Sequence, residues 1–122
     1  MDAIEQPIGE AAPTAAAAIT EEAICEQVQA AGEEVTPEVR TFAGATVMKI
    51  LLLFRSQKVP DKEGIAQRAT QQLANWAADT RRAPERTNDP NIAKLKAIGR
   101  AALAVRDAAF RLLCGKPAPH TI

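Results

Sequence analysis

Tyrosine is absent from this chain of 122 residues, and histidine and serine occur once each, at His120 and Ser56. Those gaps remove most side chains that make and break bonds. A Ser/His/Asp or Cys/His machine needs a histidine held within hydrogen-bond reach of a nucleophile. A histidine almost at the last position is badly placed for that. The two cysteines, Cys25 and Cys114, lie far apart, with no Cys-x-x-Cys pair and no Cys/His cluster. Zinc and iron sites need several such ligands, so no metal is expected and the cysteines read as reduced thiols. No GxGxxG or GxxxxGK[ST] run exists to cradle a phosphate. An enzyme, a cofactor and a small-molecule substrate are therefore not expected.

Long apolar runs are missing too. The longest aliphatic run is Ile50–Phe54, against roughly 20 residues for a membrane span. The Met-Asp-Ala-Ile-Glu start has neither the basic residues nor the apolar stretch of a secretory leader. The expected location is cytoplasmic, or within a virion or other assembly in a cytoplasmic context.

What the chain has in quantity is charge sorted along its length. Residues 1–40 hold nine acids and one base, and residues 41–122 hold fourteen bases and six acids, for a net charge of +0. A basic body behind an acidic segment points to an anionic partner, a self-covering arm or head-to-tail assembly of copies. Hydrophobic residues make up 47% of the chain, mostly alanine and aliphatics, and aromatics only 3%. That composition is globular and leans to helix.

The pattern predicts an all-α, compact four-helix bundle over 14–115, after an irregular arm (1–13, with Pro7, Gly9 and Pro13) and before a short tail (116–122). The first helix spans Thr14–Ala31, capped by Thr14 or Thr20 and stopped by Gly32. The second runs from Pro37 to about Gln57 behind Thr36-Pro37-Glu38, a strong start signal. Val39, Ala43, Thr46 or Val47, Ile50 and Phe54 make its stripe. Over Met48–Phe54 it is apolar nearly all round, which predicts burial on every side, completed by a second copy. Asp at Ile50 or at Leu52 is then expected to disrupt fold or oligomer alike. The third helix runs from Asp61 to Thr80. The fourth starts at Asn88-Asp89-Pro90 and ends at Gly115, with Ile92, Leu95, Ile98, Ala102, Val105, Ala109 and Leu112 stepping by three or four.

The basic residues form the main candidate site. Lys96, Arg100 and Arg111 share a stripe on the fourth helix, interrupted by Asp107. Arg81, Arg82 and Arg86 make a basic loop, and Arg68 adds charge on the third helix. Arginines so spaced can track phosphates, and a loop of them can clamp a nucleic-acid backbone. An ordinary solvated face and pairing with acids of a neighbouring copy are the alternatives. Without tyrosine, and with Phe42, Phe54 and Phe110 placed as core, base stacking is not expected. The run Thr70-Gln71-Gln72-Leu73-Ala74 looks like the opening of a helix-turn-helix. Asp79 stands where that motif wants a glycine, however, and Pro84 would fall inside its recognition helix. The acid pair Glu22 and Glu26 reads as a solvated face.

The candidate interface set is Met48, Leu51, Leu52, Trp76 and Arg106. Arg106 is the odd position, since it falls inside the apolar arc of the fourth helix. It must snorkel, pair, or open onto an interface. Two functions are compatible with all this. One is a self-associating, nucleic-acid-associated protein, either a small regulator or a packaging or coat subunit, that contacts phosphate through its basic surface. The other is a protein–protein module (adaptor, inhibitor or assembly chaperone) without nucleic acid.

Overall fold

A computed structural model of the chain describes residues 19–56, 61–81 and 90–119. Among these residues every regular element is a helix. They are α1 (Glu21–Ala30), α2 (Pro37–Ser56), α3 (Lys62–Ala69), α4 (Gln71–Arg81) and α5 (Pro90–Cys114). The arm 1–13, residues 14–18 of the expected first helix and the Asn88-Asp89 cap lie outside the described residues.

Local chemistry sets most helix ends. Thr20 is extended, and its Oγ1 accepts from Ala23 N at 3.0 Å, satisfying one of the donors that a helix start leaves unpaired. Glu21 and Glu22 in the first turn complement the helix dipole. At the other end Gly32 has φ +87°, and two bonds close the turn: Gly32 N to Gln29 O at 3.0 Å and Glu33 N to Val28 O at 3.1 Å. This is a Schellman closure, and its left-handed residue is one that glycine tolerates without strain. Thr36 Oγ1 accepts from Val39 N at 3.2 Å to start α2, and Asp61 Oδ1 accepts from Gly64 N to start α3.

The expected third helix is two helices. Thr70 sends both its N–H (3.1 Å) and its hydroxyl (2.7 Å) to Ala66 O, leaves helical geometry at φ −112°, ψ 11°, and is almost fully buried. Back-bonding of a threonine hydroxyl to the i−4 carbonyl is a known source of helix bending. The Thr70 carbonyl then accepts from Ala74 N and opens α4. The break sends Ile65, Ala66 and Ala69 into one core cluster and Leu73 into another.

Helix α5 is the axis of the fold, and α1, α2, α3 and α4 all pack on it. At about 1.5 Å per residue its 25 residues make a rod of roughly 37 Å. Its second half is buried on several sides through Ala101, Ala102, Val105, Ala108, Ala109, Phe110 and Leu113. Alanine is why this helix, and not α2, is enclosed: side chains of one carbon let several helix backbones approach one rod. One core cluster gathers Ala109, Phe110 and Leu113 with Ile19, Ile50, Ile65 and Ala118. The other gathers Ala101, Ala102, Val105 and Ala108 with Ile24, Val28, Val39, Ala43 and Leu73. Val47 and Leu112 pack against both.

Within the single chain α2 is buried along one side, not all round. Its core line is Val39, Ala43, Thr46 and Ile50, and Met48, Leu51 and Leu52 point the other way, 62%, 37% and 55% exposed. Two apolar arcs run along α2, and the fold buries only the one with the β-branched residues.

Helices α4 and α5 approach closely where Gly99 faces Thr80. A β-carbon built on Gly99 would lie 2.8 Å from Thr80 Cβ and nearer still to Thr80 Oγ1. Gly99→Ala is expected to destabilise by about 1–3 kcal/mol, because overpacking outweighs the helix propensity gained, about 1 kcal/mol. Thr80→Ala should recover part of that loss in the double variant, read by denaturant melts of all four proteins. Additive effects would place the two residues apart.

Candidate interaction surfaces

On the exposed side of α2, Thr41, Ala45, Met48 and Leu52 follow a 4-3-4 spacing, which keeps one seam along a helix. Leu51 and Gly44 flank it. Lys49 and Arg55 are exposed near its end. Glu21 lies near its beginning, where its Oε1 would be 3.4 Å from a β-carbon on Gly44 and its Oε2 is 3.9 Å from Arg40 Nη1. The seam therefore has the Glu21–Arg40 pair near its beginning and the bases Lys49 and Arg55 near its end.

Trp76 on α4 is partly exposed. Its ring lies 5.3 Å from that of Phe42, tilted by 35°. Phe42 is half-buried and packs against the core cluster of Ile24, Val28 and Val39, so the pair joins the core to the surface. Of the other two phenylalanines expected in the core, Phe110 is completely buried and Phe54 is half-buried against the same cluster.

Lys96, Arg100 and Arg111 stay together on α5, where Arg100 lines one groove with Lys96 and another with Arg111. Arg100 Nε donates to Glu33 Oε1 at 2.9 Å. The Schellman turn at Gly32 positions that glutamate, a contact the helix wheel alone could not give. Two surface grooves flank the pair. One of about 350 Å³ is lined by Glu33, Glu34, Thr36, Lys96 and Arg100 among others. The second, of about 250 Å³, is lined by Gln27, Glu33, Arg100, Asp107 and Arg111 among others. Each groove thus mixes acids with bases. The Arg100–Glu33 pair is largely solvated, which limits its worth to about 0–1 kcal/mol. Arg68 is exposed on another helix, in the last turn of α3. Arg81 closes α4, its side chain outside the described set, as are Arg82 and Arg86. Helix α4 runs unbroken through Asp79 to Arg81, so the turn that a helix-turn-helix would require there is missing.

Arg106 faces inward. It is 6% exposed, its Nη1 donates to Pro119 O at 3.2 Å, and its guanidinium carbon stands 5.5 Å from the centre of the Phe110 ring. Burial lowers its pKa, opposed by the neighbouring Asp107 carboxylate. Beside it, Asp107 Oδ1 accepts from Ala118 N at 3.0 Å. Of the alternatives for Arg106, pairing within the chain is the one these contacts describe. Residues 117–119 are the partner that the sequence did not suggest, since an irregular segment carries no periodic signal.

Ser56 ends α2 with its hydroxyl donated to Leu53 O at 3.1 Å. Cys25 is buried and Cys114 half-buried, both as free thiols. Burial raises the Cys25 pKa first of all, with Arg40 opposing and Glu21 and Glu22 assisting. Burial likewise leads the rise at Cys114. Neither has the electropositive setting that makes a thiol reactive. Among the described residues no three His, Cys, Asp or Glu side chains gather as a metal site, and no helix is long and apolar enough to cross a membrane. Compared with known proteins, the chain matches no family model, no curated protein and no solved structure.

Proposed function

We propose that this protein works by association rather than by bond-making, as a helical protein-interaction module whose partner is a second copy docked on the outer seam of α2. The observation that carries this reading is the exposed run Met48, Leu51 and Leu52 on the side of α2 opposite its core line. Charge selects the partner. Two α2 helices crossing antiparallel near Met48 would set Arg55 of one copy beside Glu21 of the other, twice over by symmetry. Half-burying each of the three apolar side chains is worth roughly 1 kcal/mol, so about 6 kcal/mol for the six in a pair. The cost of association begins near 4 kcal/mol, so the pairing is weak and reversible. The finer architecture belongs to the same proposal: with α3 and α4 counted as one bent arm, the body is a compact four-helix bundle around α5.

Contact with nucleic-acid phosphate draws less support. Arg100 is engaged by Glu33, and acids line the same grooves as Lys96 and Arg111.

The test is sedimentation from micromolar to near-millimolar concentration, wild type against Met48→Asp. A concentration-dependent dimer that the substitution abolishes without loss of helicity is expected. Monomer throughout would overturn the reading. Duplex and single-stranded nucleic acid are titrated over a salt series alongside. Affinity that falls steeply with salt would restore phosphate contact as the function.

A further inference from the structure

We propose that Arg106, Asp107 and Phe110 form a binding seat for an extended proline-flanked peptide, and that the chain's own Pro117-Ala118-Pro119 fills it as a detachable ligand. This inference stands apart from the α2 seam and does not depend on it.

The seat is built by one helix. Arg106, Asp107 and Phe110 occupy adjacent and one-turn positions on α5, so their spacing is set by helical geometry whether or not the tail is present. Gly115 supplies the reversal. It has φ +75°, its N–H bonds to Arg111 O at 2.9 Å, and the chain turns back over the helix it has just left.

The recognition is of backbone. Proline has no N–H, so Ala118 carries the one amide donor between Pro117 and Pro119. Asp107 accepts from that donor at 3.0 Å, and Arg106 donates to the carbonyl of Pro119, one residue further on, at 3.2 Å. Both are charge-assisted bonds, the stronger kind. The ligand arrives nearly shaped, because proline fixes its own φ and disfavours helical geometry in the residue before it. Little ordering remains to be done on binding. Ala118 sets the size limit: it is 6% exposed and belongs to the cluster of Ile65, Ala109, Phe110 and Leu113, so a longer side chain there has no room.

A buried guanidinium is also an unusual wall for a purely structural contact. Apolar residues of similar volume are often at least as stable in such places. Arginine at this point gives the seat a donor that matches a peptide carbonyl and the Phe110 ring a cation to hold.

The experiment uses the full chain with Ala118→Arg, which evicts the tail from the seat. A fluorescent peptide of residues 115–122 is then titrated into it. Saturable binding is expected, reduced about ten-fold or more when Asp107→Ala is added, and lost for a peptide carrying the same Ala118→Arg change. A helical Ala118→Arg protein that binds no peptide would overturn the proposal. If that variant fails to fold, the wild-type chain decides by amide exchange. Slow exchange at Ala118, made at least ten-fold faster by Asp107→Ala while the amides of α5 are unchanged, supports a separable seat. Exchange at Ala118 that only follows global unfolding overturns it.

Discussion

Ile50→Asp is expected to unfold this protein, while Leu52→Asp, two residues along the same helix, leaves it folded. Ile50 is completely buried and packs with Ile19, Ile65 and Phe110. Truncating such a residue already costs about 2–5 kcal/mol. A carboxylate there must also be desolvated or forced to protonate, which adds several kcal/mol more. A domain of this size has about 5–15 kcal/mol in total, so little or no folded population remains. Leu52 is more than half exposed on the seam opposite the core line, where a charge changes stability by about 0.5 kcal/mol or less. Under the proposed pairing its effect falls on self-association. Far-UV circular dichroism separates the two outcomes, with sedimentation on whatever remains folded. A helical, cooperatively melting Ile50→Asp protein would mean that the buried side of α2 is wrongly assigned.

Phe110→Ala carries the second large effect. The ring is fully buried in the cluster that joins α2, α3 and α5, and removing it costs about 3–5 kcal/mol through lost transfer energy and the cavity left behind. The Arg106 guanidinium loses the ring beneath it as well, worth about 1–2 kcal/mol at a desolvated site. Thermal melts should drop by roughly 16–28 °C, taking about 4–7 kcal/mol in all and about 4 °C per kcal/mol. Leu103→Ala on the same helix, at a partly exposed position, is the control and should move the midpoint by only a few degrees. Comparable losses for the two would show that Phe110 is not the keystone of its cluster.

The same particulars show how far a sequence can be read. Thr20, Gly32, Thr36 and Gly115 were legible because a cap or a left-handed turn is decided by one or two residues and their own backbone. The face of α2 was not, since Val39-Ala43-Ile50 and Met48-Leu52 are both apolar at helical spacing, and only tertiary packing selects between them. The break at Thr70 has no proline or glycine to announce it; it comes from a hydroxyl whose bond to Ala66 O forms in a buried setting. Arg106 declared itself by charge in an apolar arc, but its partner is a carbonyl of an aperiodic tail. The basic stripe of α5 was legible as a stripe. Its acid neighbours were not, because Glu33 arrives from a loop whose path depends on Gly32.

That four helices lean on α5 bears on how the protein is made. Translation delivers α1 to α4 before their common support, and at about 5–20 residues per second the ribosome needs roughly 2–7 s to move from the end of α4 to the end of α5. For those seconds Ile24, Val39 and Ile50 have no α5 to cover them. The nascent chain is thus a natural client for chaperones, and a premature stop before residue 100 should yield product that is degraded or precipitates.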